Sequence, residues 1–271
     1  MTPERGTEVS LTPDGTAFAV AGGGEPLVLV HGVGMQHGVW APQIAALARK
    51  HQVVVYDMLG HGASRLPPPG ATLADYAAQL EALLDHLGIA AANVAGHSMG
   101  ALVVLEFALR HPARALRVAA LNAVFRRTPE QRTAVQDRAA MLQHTGVQAT
   151  LGSTMARWFG DPVPAALQAM AHEVGSYLQN VQPAGYAHTY GLFASSDEAH
   201  AGRLQHLSMP TLFLTGEHDA NSTPEMSLAM GGEAPCSTVE VIAGARHMMN
   251  VTTPDAVNQS FARWLARPRI G

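Results

Sequence analysis

Short apolar runs alternate with longer amphipathic stretches along most of this chain. "PLVLVHG" (26–32) and "QVVVYD" (52–57) are runs of branched apolar residues with polar or turn residues at their edges, which predicts buried strands. "VWAPQIAALARK" (39–50) between them has helical spacing, and "LADYAAQLEALLDHLG" (73–88) predicts an amphipathic helix closed by Gly88. "NVAG" (93–96), "MGALVVLEFALRHP" (99–112) and "LRVAALNA" (116–123) continue as strand, buried helix ended by Pro112, and strand. Ahead of them, "TEVSLTPDGTAFAVAG" (7–22) reads as a hairpin turning at Asp14-Gly15. Such alternation predicts an α/β fold with a mostly parallel sheet and helices on both faces.

The rhythm breaks after Val124. From Arg126 to about Ala201 the pattern is helical with no convincing strand. Thr128-Pro129-Glu130-Gln131 predicts a helix start, with Thr128 as N-cap, Pro129 in the first position and Gln131 closing a capping box. Further helices are expected near 146–158, 163–176 and 183–194. Strands and helix return with "PTLFLTG" (210–216), "STVEVIAG" (237–244) and "PDAVNQSFARWLA" (254–266). The expected organisation is a core of residues 1–125 and 202–271, interrupted by an all-helical cap of residues 126–201.

Composition narrows the classes of function. Of 271 residues, 47% are hydrophobic and 14% charged, enough for a large core, and the net charge of −4 gives no reason to expect nucleic acid or a membrane surface as partner. One cysteine, Cys236, excludes an intramolecular disulfide framework, and the scattered histidines form no metal-binding motif, so no metal and no cofactor is expected. The N-terminal residues lack an apolar signal core, and a cytoplasmic location is expected. The partner expected is a small-molecule substrate; assembly into a homo-oligomer is left open.

"VAGHSMGALVV" (94–104) carries the chemistry. Ser98 stands between Gly96 and Gly100 at a strand-to-helix junction, where a sharp turn crowds the backbone two residues to either side. The turn lifts the hydroxyl above the sheet edge, at a helix N-terminus that favours developing negative charge. A serine needs a base, and in this architecture the partners follow in the order Ser, acid, His. Asp219, in the loop after "LFLTG", and His247, in the loop after "VEVIAG", both follow strands and would open on the same edge as Ser98. Glu217 is the nearest competitor as acid, and Asp57 precedes the serine and fits the order poorly. Oxyanion donors are expected from the N–H groups of Met99 and of Val33, in the turn after "PLVLV".

"LVHGVGMQHGVW", "YDMLGHGAS", "GHSMGALVVLEFALRHP", "LTGEHDANSTP" and "GARHMMNVTTPDAVN" together resemble the α/β-hydrolase family over about residues 7–268. The resemblance implies that fold, places Ser98, Asp219 and His247 at the family's triad and Val33 and Met99 at its oxyanion positions, and makes the helical insertion a roof over the serine. Met58 replaces a common basic residue of the family. Within it, "LNAVFRRTPEQRTAVQDRAAML", "MARWFG" and "PAGYAHTYGLFASSD" look most like 3-oxoadipate enol-lactonases and carboxylesterase relatives, although the small pair usual after "LN" is Ala123-Val124 here. The activity this implies is serine hydrolysis of a small carboxylic ester or lactone through an acyl-enzyme. The alternatives are C–C bond hydrolysis of a ring meta-cleavage product, perhydrolysis, and a non-catalytic receptor on the same fold. Arg126 or Arg127, at the cap entrance, is expected to hold a substrate carboxylate, and Trp158 and Tyr190 to contact substrate.

Overall fold

A computed structural model describes residues 8–270, so Thr7, the first residue of the expected hairpin, and the outermost positions of the expected core lie outside the described residues. Eight strands form one sheet: β1 (Ser10–Leu11), β2 (Ala17–Ala21), β3 (Glu25–Val30), β4 (His51–Tyr56), β5 (Ala92–His97), β6 (Ala115–Leu121), β7 (Thr211–Gly216) and β8 (Ser237–Ile242). Their order is β1-β2-β4-β3-β5-β6-β7-β8. Only β1 and β2 run antiparallel to their neighbours. The hairpin forms around Asp14-Gly15, with Gly15 at φ +82° as its turn requires. The central strands are apolar on both faces: Leu27 to Val30, Val53 to Val55 and Leu212 to Leu214 are almost wholly buried.

Helices cover both faces of the sheet. Of the core helices, α1 (Ala41–Leu47) packs on α10 (Pro254–Leu265), and α2 (Leu73–His86) on α3 (Met99–Arg110). α3 is buried along nearly its whole length, which its sequence "MGALVVLEFALR" anticipates. Between β6 and β7 the chain makes α4 (Pro129–Thr145), α5 (Leu151–Phe159), α6 (Gln168–Gln179) and α7 (Pro183–Ser195). The capping box at Thr128 forms in both directions: the Gln131 N–H donates to Thr128 Oγ1 and the Thr128 N–H to Gln131 Oε1. α5 and α6 begin later than their periodicity suggests, because Val147–Thr150 and Ala165–Leu167 wind as 3₁₀ turns first. α8 (Pro224–Glu233) and the short α9 (Met249–Thr252) complete the helices. Among the described residues no helix is long and apolar enough to cross a membrane.

Register makes the C-terminal edge of the sheet a platform. Val30 pairs with Gly96, His97 with Leu121, Leu121 with Leu214 and Gly216 with Ile242. The chain therefore leaves β3, β5, β6, β7 and β8 along one edge, the place where open α/β sheets present ligands.

Candidate active site

Ser98 leaves β5 with φ +56° and ψ −115°, a left-handed conformation that a residue with a side chain adopts only under constraint. The constraint is visible at its flanking glycines. A Cβ on Gly96 would run into the Gly100 carbonyl, and one on Gly100 into the carbonyls of Val30 and His31. The Ser98 N–H donates to the Leu121 carbonyl at 2.8 Å, fixing the turn to the neighbouring strand. Directly after it α3 begins, so Met99 holds the first N–H of that helix, a donor with no intrahelical acceptor.

His247 and Asp219 meet as the chain order predicts. His247 Nδ1 lies 2.8 Å from Asp219 Oδ2, both side chains almost wholly buried. A carboxylate only accepts, so Nδ1 carries the proton and Nε2 is left bare, the tautomer a general base needs. Burial would raise the Asp219 carboxyl. The His247 imidazole, the Asn122 amide (Nδ2 donating to Oδ2 at 2.7 Å) and the Asn221 N–H (2.8 Å to Oδ1) outweigh it and hold Asp219 below the usual carboxylate range. His247 is steadied from two further sides. Its carbonyl accepts from His97 Nε2 at 2.8 Å, and the Trp158 ring stacks on its imidazole with centroids 5.8 Å apart.

The competing acids are engaged elsewhere. Glu217 is half exposed and accepts from the Gly244 N–H at 2.7 Å. Asp57 is buried but accepts from the His37 N–H and ring and from the Ala63 N–H, at 2.8–2.9 Å.

The turn expected to supply the second oxyanion donor is held by two neutral histidines. The His31 Nδ1–H donates to the Gly32 carbonyl at 2.8 Å, while its Nε2 accepts from the Met58 N–H at 2.9 Å. The His61 Nδ1–H donates to Leu59 O at 3.1 Å, and its Nε2 accepts from the Gly34 N–H at 3.0 Å. Each ring thus has an acceptor nitrogen facing a backbone N–H, an arrangement with no room for a second proton. Burial pushes His31 down to about 4 and His61 to about 3. Met58, where the family pattern favours a base, is fully buried and uses its backbone here. No backbone acceptor takes the Val33 or Met99 N–H among the described residues.

A cavity of about 270 Å³ joins these groups, lined by Gly32, Val33, Ser98, His247 and Trp158 and roofed by side chains of α4, α5 and α7, Tyr190 among them. The two arginines at the start of the insertion part company. Arg127 lines the cavity, buried, with Nη1 donating to Asp197 Oδ1 at 3.4 Å and to the carbonyls of Phe193 and Ala194. Arg126 does not reach the cavity. At φ +47° it turns outward, half exposed, where its guanidinium pairs with Glu233 at 2.7 Å and lies over the Phe125 ring. Its assignment to substrate binding is corrected accordingly.

Sequence reasoning missed three residues here. Asn122 directly follows β6, beside β7 whose following loop carries Asp219, at φ +50°, a conformation asparagine tolerates better than most residues. Its position directly after a strand was the available signal. Arg138 and Arg157 also line the cavity. Nothing in a helical pattern separates them from arginines facing solvent.

Residues 25–254 match the α/β hydrolase fold family. The chain is 39% identical over 245 residues to the (E)-2-((N-methylformamido)methylene)succinate hydrolase of Acinetobacter baylyi, covering 90% of this chain and 91% of the relative. It is 29% identical over 262 residues to 3-oxoadipate enol-lactonase 1 of the same organism, covering 97% and 94%. Among solved structures, the enol-lactonase from Burkholderia xenovorans LB400 superposes with a TM-score of 0.87 at 25% identity, covering 96% of this chain and 100% of that one. The strained serine turn, the sheet edge and these likenesses agree: the chain belongs to the α/β-hydrolase family and is a hydrolase.

Proposed function

We propose that the protein is a serine hydrolase acting on the acyl carbon of a small substrate, with Ser98 as nucleophile, His247 as base and Asp219 as the group that orients and charges the base. The observation that carries this is the strained Ser98 turn opening into the same cavity as an imidazole whose Nε2 is bare. Ser98 Oγ attacks the acyl carbon and passes its proton to His247 Nε2. Asp219 stabilises the imidazolium that forms. The N–H groups of Val33 and Met99 receive the oxyanion, where the N-terminus of α3 adds its dipole. His247 then gives the proton to the leaving group, and a water activated by the same imidazole releases the acid from the acyl-enzyme. Residues 126–201 act as the cap that closes the site.

The bond class is wider than ester and lactone. The name of the Acinetobacter relative's substrate holds a formamido group on a succinate, an amide-type acyl carbon with no ester or lactone. An acyl carbon attached to oxygen or to nitrogen therefore falls within the reading. Treatment with a fluorophosphonate, followed by mass spectrometry, is expected to place one adduct on Ser98, and Ser98→Ala is expected to lose turnover of a 4-nitrophenyl ester. An adduct elsewhere, or full turnover in the variant, overturns the assignment. Labelling without turnover of any ester, lactone, N-acyl enamine or vinylogous diketone acid would favour a receptor.

A further inference from the structure

Among the described residues three guanidiniums line the cavity, and only one of them is paired with a carboxylate. Arg127 is paired with Asp197 and stacks on the Phe193 ring, its centre 4.8 Å from the centroid. Arg138 stands on the cavity face of α4, one turn on from Ala134 and Val135, which also line it. The hydrogen bond it makes goes from Nε to Tyr190 Oη at 3.3 Å, an uncharged acceptor. Arg157, on α5, donates to Thr154 Oγ1 at 2.9 Å and reaches Ser153 Oγ at 3.5 Å, both hydroxyls. Its Nε is buried with no hydrogen-bond partner among the described residues. Among the described residues neither Arg138 nor Arg157 is paired with a carboxylate, whereas Arg110, Arg114, Arg117 and Arg203 all are.

Two like charges in a half-enclosed site oppose each other. Burial, and then the charge of Arg138, weaken the hold of Arg157 on its proton. An arginine stays charged regardless, so the cavity lining is left with excess positive potential and unused N–H donors. A planar guanidinium fork matches one ligand chemistry best, a carboxylate held by two parallel hydrogen bonds.

We infer that Arg138 and Arg157 form an acid-reading subsite, which holds a carboxylate of the substrate while its acyl carbon stands at Ser98. This rests on the catalytic role proposed for Ser98 and narrows its substrate class to small acyl compounds bearing a free carboxylate away from the bond cleaved. The role expected of Arg126 or Arg127 passes to residues further along the insertion. Arg127 keeps a structural task, tying the start of the insertion to its end through Asp197.

The test compares mono-4-nitrophenyl glutarate with its neutral methyl ester, in the wild type and in Arg138→Met and Arg157→Met. The quantity read is the ratio of kcat/KM for the acid to that for the neutral ester. The wild type is expected to prefer the acid, and each substitution to lower the ratio about ten- to hundredfold, the weight of a charge-assisted pair. Lysine at either position should restore part of the preference, since it keeps the charge and loses the fork. Glutarate should compete with the neutral ester in the wild type and glutaramide should not, a measurement that needs no variant to fold. A wild-type preference for the neutral ester, a ratio unmoved in both variants, or no competition by glutarate overturns the subsite. Fluorophosphonate labelling in the same preparations separates the two levels. Labelled Ser98 with no acid preference removes the subsite alone, whereas unlabelled wild type removes the catalytic assignment beneath it.

Discussion

Acid should weaken this fold well before its carboxylates titrate. His31, His61 and His97 are buried and neutral, and burial pushes them down to about 4, about 3 and about 3. In the unfolded chain each binds a proton near an ordinary value of about 6.5. The unfolded state takes up the protons first as pH falls. The stability these groups contribute is thus intact above about 6.5 and lost as pH drops towards their folded values. At pH 5 the unfolded chain gains about 2 kcal/mol per histidine, from about 1.5 units at 1.36 kcal/mol each, and about 6 kcal/mol for the three. His37 acts the other way. Its hydrogen bond to Asp57 raises it, so its contribution is full below about 6.5 and fades as pH rises through its folded value. Glu25 and Glu106, held down to about 2, keep their contributions down to pH 5 and lose them only below the usual carboxylate range. A net loss of about 4–6 kcal/mol between pH 8 and pH 5 is large against a total of about 5–15 kcal/mol. Guanidinium unfolding followed by tryptophan fluorescence at pH 8, 6.5 and 5 measures it. In His61→Gln the amide oxygen can still accept from Gly34, and the drop from pH 8 to 5 should shrink by about 2 kcal/mol even if the variant starts less stable. A wild-type change under about 1 kcal/mol, or a His61→Gln curve parallel to it, would refute the assignment of neutral, wired histidines.

Two further outcomes follow from the sheet edge. Gly100→Ala places a methyl group against the carbonyls of Val30 and His31, so the turn must open; turnover of a 4-nitrophenyl ester should fall about a hundredfold or more, with a loss of about 1–3 kcal/mol in stability by denaturant titration. Asp219→Asn should cost about 10⁴-fold in kcat by fixing the wrong tautomer of His247, while Glu217→Gln stays within about twofold; the reverse pattern would move the acid to Glu217.

The strands, the buried α3 and the serine turn were legible because each rests on local chemistry. A run such as "PLVLV" has no comfortable place except a buried strand, and "GHSMG" has glycine at the two positions where a Cβ meets backbone. The pairing of Asp219 with His247 was legible through chain order and loop placement: of Asp57, Glu217 and Asp219, the structure brings Asp219 to His247. What failed to show was whatever depends on which way a helix is turned. Arg126 and Arg127 differ by one position and end on opposite sides of the turn. Arg138 sits in a helix with only Val135 and Leu142 buried, whose pattern has no apolar stripe to say which face is inward. Its cavity side mixes Gln131 and Arg138 with Ala134, Val135 and Leu142, so no unbroken apolar stripe marks the inward face.

That absence has a physical reason tied to the site. The floor of the cavity is built on strand ends, where register lets hydrogen bonds link Asn122 to Asp219 and Asp219 to His247 and sets Ser98 on the same edge. The proton transfer proposed for Ser98 and His247 needs that rigidity. The roof is built on short helices joined by turns, and its inward residues mix Arg138, Arg157 and Tyr190 with apolar side chains. A roof packed only for stability would face the cavity with leucine and valine, since a half-buried guanidinium without a counter-ion lowers stability. Keeping two of them there makes sense when an anion arrives to match them. The arginine set among Ala134, Val135 and Leu142 on the cavity side of α4 is then the trace of substrate selection, and it is also what breaks the apolar stripe that periodicity would have read.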